Sequence, residues 1–596
     1  MDKIVKVAIP IALDKEFDYL LPSSLNAEPG IRVLVDFNGK KRVAVVCSLS
    51  RTSEVKKIKT VIDVLDSKPS LSQVHISFAK KLSEVYSYPK GEFIFMMLPT
   101  YLRKTHRLDL GEIRPYLKAK TLVQKVFIKA DTFLERYRMW RDGANEKLKT
   151  GSVLVIFPQL TYLEAAHQII KSDFSCPVHV FHSKQREKDI FSAWKESREN
   201  SLILGTRMAL FYYPRDLELI IIEEENSRYY SQEEKPFYHL PDVAFMLSKA
   251  KNADLFYSGN LPSLVSYKYI KEKKIILQEQ AAPNKEIQIV AASALSHKKL
   301  ISPVLIEILK KTIQENKKGV VLWNRKGLGR FVSCSSCGHI FTCMHCSCFL
   351  QLLPSLNEGI CSYCHRKVAL PSICNYCHKG YLKTSGYGIE RIGAILKRIF
   401  PEAKIDTWER HKFDSQIILS TSEILTYLYG AENFDNGFML DIDAFLVRMN
   451  YDATFNAYLY LKALLRLFKD KLYVFTKNKD YYFFQYLNKP WRDFYEVELG
   501  LRRRLNLPPY GTVIKITLRA KNENLLFKKA SDLYNILGKR YSEVHGPFKD
   551  EPFKLRDKFR YALIIKVKKG LAFRKAIKEE LGTFRSSSVQ LAVNIR

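Results

Sequence analysis

The sequence predicts a multidomain α/β protein whose second half is interrupted by a metal-ligating cysteine module. Three observations predict it. The chain has 596 residues, enough for three or four domains that each bury a core. Between residues 151 and about 290, apolar runs of strand length (VLVIFP, VHVFHS, SLILGT, LELIII) alternate with helical segments such as TYLEAAHQII, the pattern of a mostly parallel sheet. Eight cysteines fall in four C-x-x-C pairs, Cys334/Cys337, Cys343/Cys346, Cys361/Cys364 and Cys374/Cys377.

A two-residue gap lets two sulfurs point at one centre from a tight knuckle, and Gly338 eases the turn after the first pair. Two pairs make one tetrahedral thiolate site, so four pairs make two. Zn²⁺ suits both, because it asks for nothing beyond four soft ligands. Fourteen residues separate Cys346 from Cys361, and they carry Phe349, Leu350, Leu352 and Leu353 ahead of a turn-like Pro354–Gly359. That is a hairpin's length. It predicts that Cys343, Cys346, Cys361 and Cys364 share one Zn²⁺, while Cys334, Cys337, Cys374 and Cys377 share the other. The alternative is a sequential pairing, which has to turn back within the five residues after Cys337. Cys348 is left as a spare thiol or alternate ligand. The start, MDKIVKVAIPIALDKEFDYL, carries acids inside its apolar stretch and does not read as a signal peptide, so metal rather than disulfides is expected.

Lys plus Arg number 96 against 62 Asp plus Glu, a net charge of +34. Such an excess displaces counterions from phosphate and makes nucleic acid the expected partner; the plainer reading is a solvated basic surface. An aromatic content of 12% offers stacking surfaces for single strands, although most of these rings belong to cores. No run of eighteen apolar residues occurs, so no membrane span is expected and the chain is assigned to the cytoplasm.

Taken in order, residues 1 to about 105 read as a small β-rich domain. Val5, Val7 and Ile9 alternate, as do Val33, Val35 and Phe37, and then Val43, Val45 and Cys47. Pro29-Gly30 and Asn38-Gly39 are turn signals, the second of hairpin type. A helix is expected between Leu71 and Tyr88. The segments FDYLLP, PGIRVLVDFNGKKRVAVV, KTVIDVLDSKP and YPKGEFIFMMLP together resemble the amino-terminal domain of the PriA family, primosomal protein N-prime of bacterial replication restart. The resemblance implies a DNA-binding domain that holds the 3′ end of a nascent strand, with Phe17, Asp18, Gly39 and Lys59 at its pocket. The chemistry is reasonable: an aromatic stacks a base, a carboxylate accepts from a base edge or the 3′-hydroxyl, glycine permits close approach and lysine meets phosphate.

Residues 106–150 are basic and polar, and too short for the complete winged helix that the family carries there. From 151 the likeness to the family's first motor lobe continues through HSKQREKDIFSAW, GTRMALF, LIIIEEENSRYYSQEEKPFYHLPDVAF and SGNLPSLVSY. The family's phosphate loop, G-x-T-G-S-G-K-T before E-x-Y, aligns with Phe127–Leu134 (FIKADTFL), since Glu135-x-Tyr137 follows. No glycine remains to cradle phosphate; Phe133 stands at the lysine position and Leu134 at the threonine. The family's Asp-Glu-Glu-His becomes Glu223, Glu224, Glu225 and Asn226. Without a cradle this run is expected to pair with nearby Arg or Lys rather than hold Mg²⁺.

Asn324, Arg325, Lys326 and Gly327 match the family's turn before the cysteines, and GYGIERIGAILKRIF its later helix with an acidic strand end at Asp406. Ser420, Thr421 and Ser422 stand for its Gly-Thr-Gln, and Ala463–Asp470 (ALLRLFKD) for the segment bearing its arginine fingers, with Arg466 out of register. Residues 490–596 resemble its carboxy-terminal domain, where Arg502, Arg503 and Arg504 are candidate phosphate contacts and Arg556 and Arg560 lie on the approach to a late strand.

The expected architecture is therefore a β-rich amino-terminal 3′-end DNA-binding domain (1–105), a degenerate first helicase-like α/β lobe (106–290), the start of a second lobe (291–333), an inserted double zinc-ribbon module (334–380), the rest of the degenerate second lobe (381–489) and an α+β carboxy-terminal DNA-binding domain (490–596). The expected function is replication restart: binding forked, branched or single-stranded DNA and nascent 3′ ends, and promoting reloading of the replicative helicase together with primosome proteins and its loader. Two Zn²⁺ are implied; catalytic residues, a nucleotide site with ATP and Mg²⁺, and a membrane are not. The competing readings are an active ATP-dependent 3′–5′ helicase with a divergent nucleotide site, and a zinc-ribbon protein of transcription or RNA handling.

Overall fold

The computed structural model describes residues 3–55, 57–109, 122–232, 234–281, 285–291, 301–323, 331–353, 358–361, 363–385, 388–410, 414–427, 434–446, 450–568 and 589–595. The chain forms two compact units that part between 281 and 282.

In the first unit, β1 (Lys3–Ala8), β2 (Phe17–Leu21), β3 (Arg32–Phe37), β4 (Lys40–Ser50), β5 (Lys59–Thr60) and β6 (Asp63–Val64) make a sheet in the order β5-β2-β1-β4-β3-β6. Asn38 and Gly39, both at positive φ, turn β3 tightly into β4, as an Asn-Gly pair favours. Alternation splits each strand between two cores. Val5, Val7, Val33, Val35 and Val46 fill one, while Val43, Val45 and Cys47 face α1 (Gln73–Tyr86) and α2 (Lys90–Met96). A fully buried Arg32–Asp66 pair, 2.6 Å apart, closes the domain, and the same guanidinium donates to the carbonyls of Leu102 and His106.

The second core of that sheet continues into an α/β layer. Its elements are β7 (Lys125–Lys129), α3 (Phe133–Leu148), β8 (Ser152–Ile156), α4 (Leu160–Ile170), β9 (Val178–Phe181), α5 (Glu187–Glu196), β10 (Leu202–Gly205), β11 (Leu217–Ile222), α6 (Leu240–Lys251), β12 (Asp254–Gly259), α7 (Leu264–Lys271) and β13 (Ile276–Glu279). All seven strands are parallel, in the order β13-β7-β12-β11-β8-β10-β9. β8 and β11 are buried along their whole length, which is why they read as continuous apolar runs. Residues 125–148 supply β7 and α3 of this sheet, while 110–121, where a winged helix was at issue, lie outside the described residues.

The second unit starts with β14 (Glu286–Ala291), so its sheet begins ahead of the expected boundary at 291. There follow α8 (Pro303–Gln314) and β15 (Gly319–Leu322), then the module strands β16 (Phe331–Cys334), β17 (Leu350–Leu353), β18 (Glu358–Cys361), β19 (Lys367–Ala369) and β20 (Leu382–Ser385). The lobe resumes with α9 (Ile389–Ile399), β21 (Ile405–Thr407), β22 (Ile417–Ser420), β23 (Phe434–Met439), α10 (Asp443–Leu446), α11 (Ala453–Leu465) and β24 (Phe468–Thr476). Its parallel sheet runs β14-β24-β23-β15-β22-β21; the module leaves the sheet after β15, and the chain returns through α9 to the edge strand β21. The turn Asn324–Gly327 lies outside the described residues.

The carboxy-terminal part comprises α12 (Trp491–Arg504), β25 (Gly511–Ala520), α13 (Glu523–Gly538), β26 (Glu543–Leu555) and β27 (Lys558–Lys568), with β27 antiparallel to both β25 and β26. α12 packs on α11 through the stacked rings of Tyr458 and Phe494, 4.2 Å apart, so residues 491–504 are built into the second lobe. No described helix is long and apolar enough to cross a membrane.

Candidate metal centres and the carboxylate site of the first lobe

Each C-x-x-C knuckle closes the same way. The residue after the second cysteine adopts positive φ: Gly338, Ser347, His365 and His378. In three of the knuckles its N–H returns to the carbonyl of the first cysteine, from Ser347 to Cys343, His365 to Cys361 and His378 to Cys374. Backbone N–H groups of Ser336, Cys337, Tyr363 and Tyr376 point at the sulfurs of Cys334, Cys361 and Cys374. Gly338 was legible as a turn residue; the serine and the two histidines in the same conformation were not, because the bonds within the knuckle impose it. Gly380 is required for a different reason: a Cβ there would stand 2.4 Å from the Cys334 sulfur.

The hairpin β17–β18, with Leu350 opposite Cys361, brings the inner pairs together. β16 and β20, with Cys334 opposite Leu382, bring the ends of the module together. The result is two tetrads, Cys334, Cys337, Cys374 and Cys377, and Cys343, Cys346, Cys361 and Cys364, each with its sulfurs within 4.8 Å of one another. A tetrahedral centre with bonds of ~2.3 Å places its sulfurs ~3.8 Å apart. The separations are 3.5 Å for Cys334–Cys377, 3.9 Å for Cys337–Cys374 and 3.8 Å for Cys343–Cys364, far longer than a disulfide. The tetrads can each hold a metal ion.

The thiols do not share one range: burial and the neighbouring thiols push Cys346 up to about 12, and against the His339 N–H burial and the neighbouring thiols push Cys337 as high, while others are drawn down. Backbone N–H groups of Lys379 and Gly380 hold the Cys377 thiol down at about 6. Burial pushes Cys364 up, but the Arg366 N–H and the neighbouring thiols bring it down to about 7. Cys348 stays outside both tetrads; burial and the adjacent thiolates push it up to about 11, and its Sγ lies 3.5 Å from the Cys346 carbonyl.

In the first lobe, β7 runs into α3 through residues 130–132, and Thr132 caps the helix with Glu135 in a capping box. Phe133 is buried against Tyr137 and Phe157, and Leu134 is 43% exposed. One turn along α3, Arg136 is 1% exposed. Its guanidinium reaches Glu223 at 2.5 Å and Glu224 at 2.8 Å, and donates to the Ala130 carbonyl at 2.9 Å. Glu223 also accepts from the Ser258 hydroxyl, and Glu225 accepts from Ser263 N–H, Ser263 Oγ and Ser266 Oγ. Burial raises the pKa of Glu223; Arg136 opposes the rise and Glu224 adds to it. Burial likewise raises Glu225, against the bonds from Ser263 and Ser266. Glu224 sits at φ 52, a left-handed backbone that a side chain adopts only when held there. The carboxylate cluster thus carries a counter-charge supplied by the chain itself. Sequence reasoning expected an Arg or Lys partner and did not find which. The signal was present: Phe133, Tyr137, Trp140 and Ala144 form the buried stripe of α3, and Arg136 falls on it.

In the amino-terminal domain the four candidate pocket residues do not share one contact. Lys59 Nζ and the Gly39 N–H both bind the Asp36 carboxylate, each at 2.9 Å, and Lys59 holds that carboxyl below its usual range. Phe17 packs edge-on against Phe37, with ring centres 4.9 Å apart. Asp18, the next residue of the strand, faces the other side and accepts from Ser53 Oγ. Asp36 is the residue that sequence reasoning missed here.

Among the carboxy-terminal arginines, Arg502 is 4% exposed and bound to Glu498 and Asp452, so it is a structural ion pair and not a phosphate contact; Arg503 and Arg504 face solvent. Arg560 is held by Asp550. Arg556 and Asp557 form the turn of the β26–β27 hairpin, and that turn sits on the inner tetrad: Asp557 N–H donates to the His345 carbonyl, and the His345 ring lies 2.8 Å from the Asp557 carboxylate.

The 3′DNA-binding domain (3′BD) of PriA matches residues 6–99, and the primosomal protein N C-terminal domain matches residues 503–596. Three proteins named replication restart protein PriA are similar along most of the chain. The one from Borreliella burgdorferi is 26% identical over 550 residues, 83% of each chain. That from Rickettsia prowazekii is 24% identical over 642 residues, covering 100% of this chain and 99% of its own. That from Haemophilus influenzae is 22% identical over 724 residues, again 100% and 99%.

Proposed function

We infer that the chain is a member of the PriA family, and that it is a replication-restart protein that binds forked or branched DNA and nascent 3′ ends, and promotes reloading of the replicative helicase without unwinding DNA by its own ATP turnover. The observation that carries the DNA part is the pair of domain matches at the two ends of the chain, both in a protein of net charge +34. The cluster of Phe17, Asp36, Gly39 and Lys59 meets the strand end, with Lys59 exchanging its Asp36 partner for phosphate.

The absence of a motor step is supported by Arg136. An ATP-driven lobe holds a divalent cation beside these carboxylates and cradles phosphate on glycine N–H groups. Here Arg136 lies between Glu223 and Glu224, and Phe133 and Leu134 stand in place of the lysine and threonine. The two tetrads each take Zn²⁺, which supplies a structural cross-link and no redox or hydrolytic chemistry. Primosome proteins and the helicase loader are the proposed protein partners.

The test is an ATPase and unwinding assay with and without forked DNA, run beside binding to a fork with a free 3′-hydroxyl, to blunt duplex and to RNA. The expected result is fork preference with no DNA-stimulated turnover. Turnover would establish a working motor, and equal affinity for RNA would favour a transcription or RNA-handling role.

A further inference from the structure

The second knuckle of the outer tetrad carries three large side chains outward: Ile373 is 57% exposed, Tyr376 74% and Tyr381 67%. Ile373 and Tyr381 are cross-strand partners that flank the knuckle, and Tyr376 lies inside it. The Tyr376 ring is already stacked on His339 from the first knuckle, with centres 5.0 Å apart and planes within 6°. The two parallel rings make a flat surface that Tyr376 leaves largely exposed. Its backbone is fixed by the bonds that also shape the tetrad: Tyr376 N–H to the Cys374 sulfur, Cys374 N–H to the Gly380 carbonyl, and Ser335 N–H to the Tyr381 carbonyl.

Charge decides what the surface fits. Glu358 is the sole acidic residue between Asn316 and Ile389, and Lys379 and Lys383 flank the exposed rings. An aromatic platform on a segment poor in acidic residues and flanked by lysines is what an unpaired nucleic-acid strand requires. Bases stack on the rings whatever their sequence, and the lysines meet the phosphates between them.

We propose that the outer knuckle, through Tyr376 stacked on His339 and through Tyr381, is a stacking platform for single-stranded DNA, with Lys379 and Lys383 as its phosphate contacts. This rests on the reading of the chain as a DNA-binding protein, and adds the unpaired strand as the ligand of the metal module. It assigns the module a direct DNA contact separate from the 3′-end cluster of the amino-terminal domain.

The experiment uses full-length, zinc-loaded protein and two labelled probes, a dT oligomer and a blunt-ended duplex without any single-stranded overhang, followed by fluorescence anisotropy. Tyr376→Ala with Tyr381→Ala is expected to weaken dT binding by roughly ten-fold or more while duplex-end binding holds. Tyr376→Phe is expected to bind like the parent, since stacking needs the ring and not the hydroxyl. Lys379→Ala is expected to lower the slope of log affinity against log salt by about one. Metal analysis at two zinc per chain in every variant excludes a collapsed module as the cause. A double variant that keeps two zinc and the parent's dT affinity overturns the platform, as does one that loses only the binding of a protein partner. Parent protein that binds neither probe overturns the DNA-binding reading itself.

Discussion

The inner and outer tetrads gather four thiols each, with sulfurs within 4.8 Å of one another, and the first lobe gathers Glu223, Glu224 and Glu225 at the end of one strand. Both clusters concentrate groups that lose protons, in surroundings where bare charge is costly. They differ in where the counter-charge comes from. No side-chain cation contacts the tetrad sulfurs among the described residues; their hydrogen bonds come from knuckle N–H groups, which favour thiolates without neutralising four of them. That site is built for a metal. In the first lobe the chain's own Arg136 is fully inserted between two carboxylates, and a guanidinium stays charged at any pH the protein meets. One cluster can take its counter-charge from a metal ion, and the other has it from within the chain.

The sharpest way to break this contrast is to remove one ligand from each. Cys343→Ser is expected to leave one zinc per chain instead of two, and to deprotect the β26–β27 turn in hydrogen exchange, because that turn rests on the inner knuckle at His345. The loss is expected to be the largest of any single change, since structural zinc contributes on the order of 10 kcal/mol to the fold it closes. Cys377→Ser is expected to lower the metal count equally and leave the turn protected. Arg136→Met comes next. It strands two buried carboxylates and is expected to cost about 3–5 kcal/mol in denaturant unfolding, with much of this recovered when Glu223→Gln and Glu224→Gln are added. If Arg136→Met is neutral, the carboxylates are not neutralised by the guanidinium and the comparison fails.

A smaller effect sharpens the first-lobe side. Glu225 has its folded pKa raised by burial, so its contribution to stability is complete below the unfolded carboxyl value and is lost as pH climbs through the raised folded value. Glu225→Gln is therefore expected to flatten the fall in Tm as pH rises above the ordinary carboxyl range, with the variant gaining on the parent at the alkaline end. Smallest is Lys59→Ala. Its ion pair with Asp36 is solvent-exposed, so no measurable change in Tm is expected, while fork affinity falls a few-fold and the salt slope drops by about one.

How much of this could be read from the chain depends on the distance over which each feature is specified. The knuckles are written within four residues, and the hairpin that joins the inner pairs within fifteen, so the spacing of the cysteines carries the two tetrads. The parallel strands are legible because full burial leaves no polar residue in LELIII beyond one glutamate. The asparagine-glycine turn is legible because few other pairs tolerate two left-handed residues. Arg136 was harder, since its partners lie 87 and 88 residues away and nothing local marks which charge will be buried. Gly39 and Lys59 were legible as residues, but their meeting point, Asp36, follows from how a turn and an edge strand are folded over it. Arg502 shows the reverse error: in a run of three arginines the first is turned inward, because α12 is packed on α11.

The sequence by itself determined the metal-binding capacity, the alternation of buried strands and helices, and the absence of glycine from the segment 127–134, since composition and short-range spacing suffice for each. The tertiary structure alone decided that Arg136 completes the carboxylate site, that the carboxy-terminal hairpin rests on the inner knuckle, and that the rings of the outer knuckle face solvent. Each of these joins or orients groups whose separation along the chain exceeds what any local pattern encodes, and only packing selects among the many partners a charged or aromatic side chain could take.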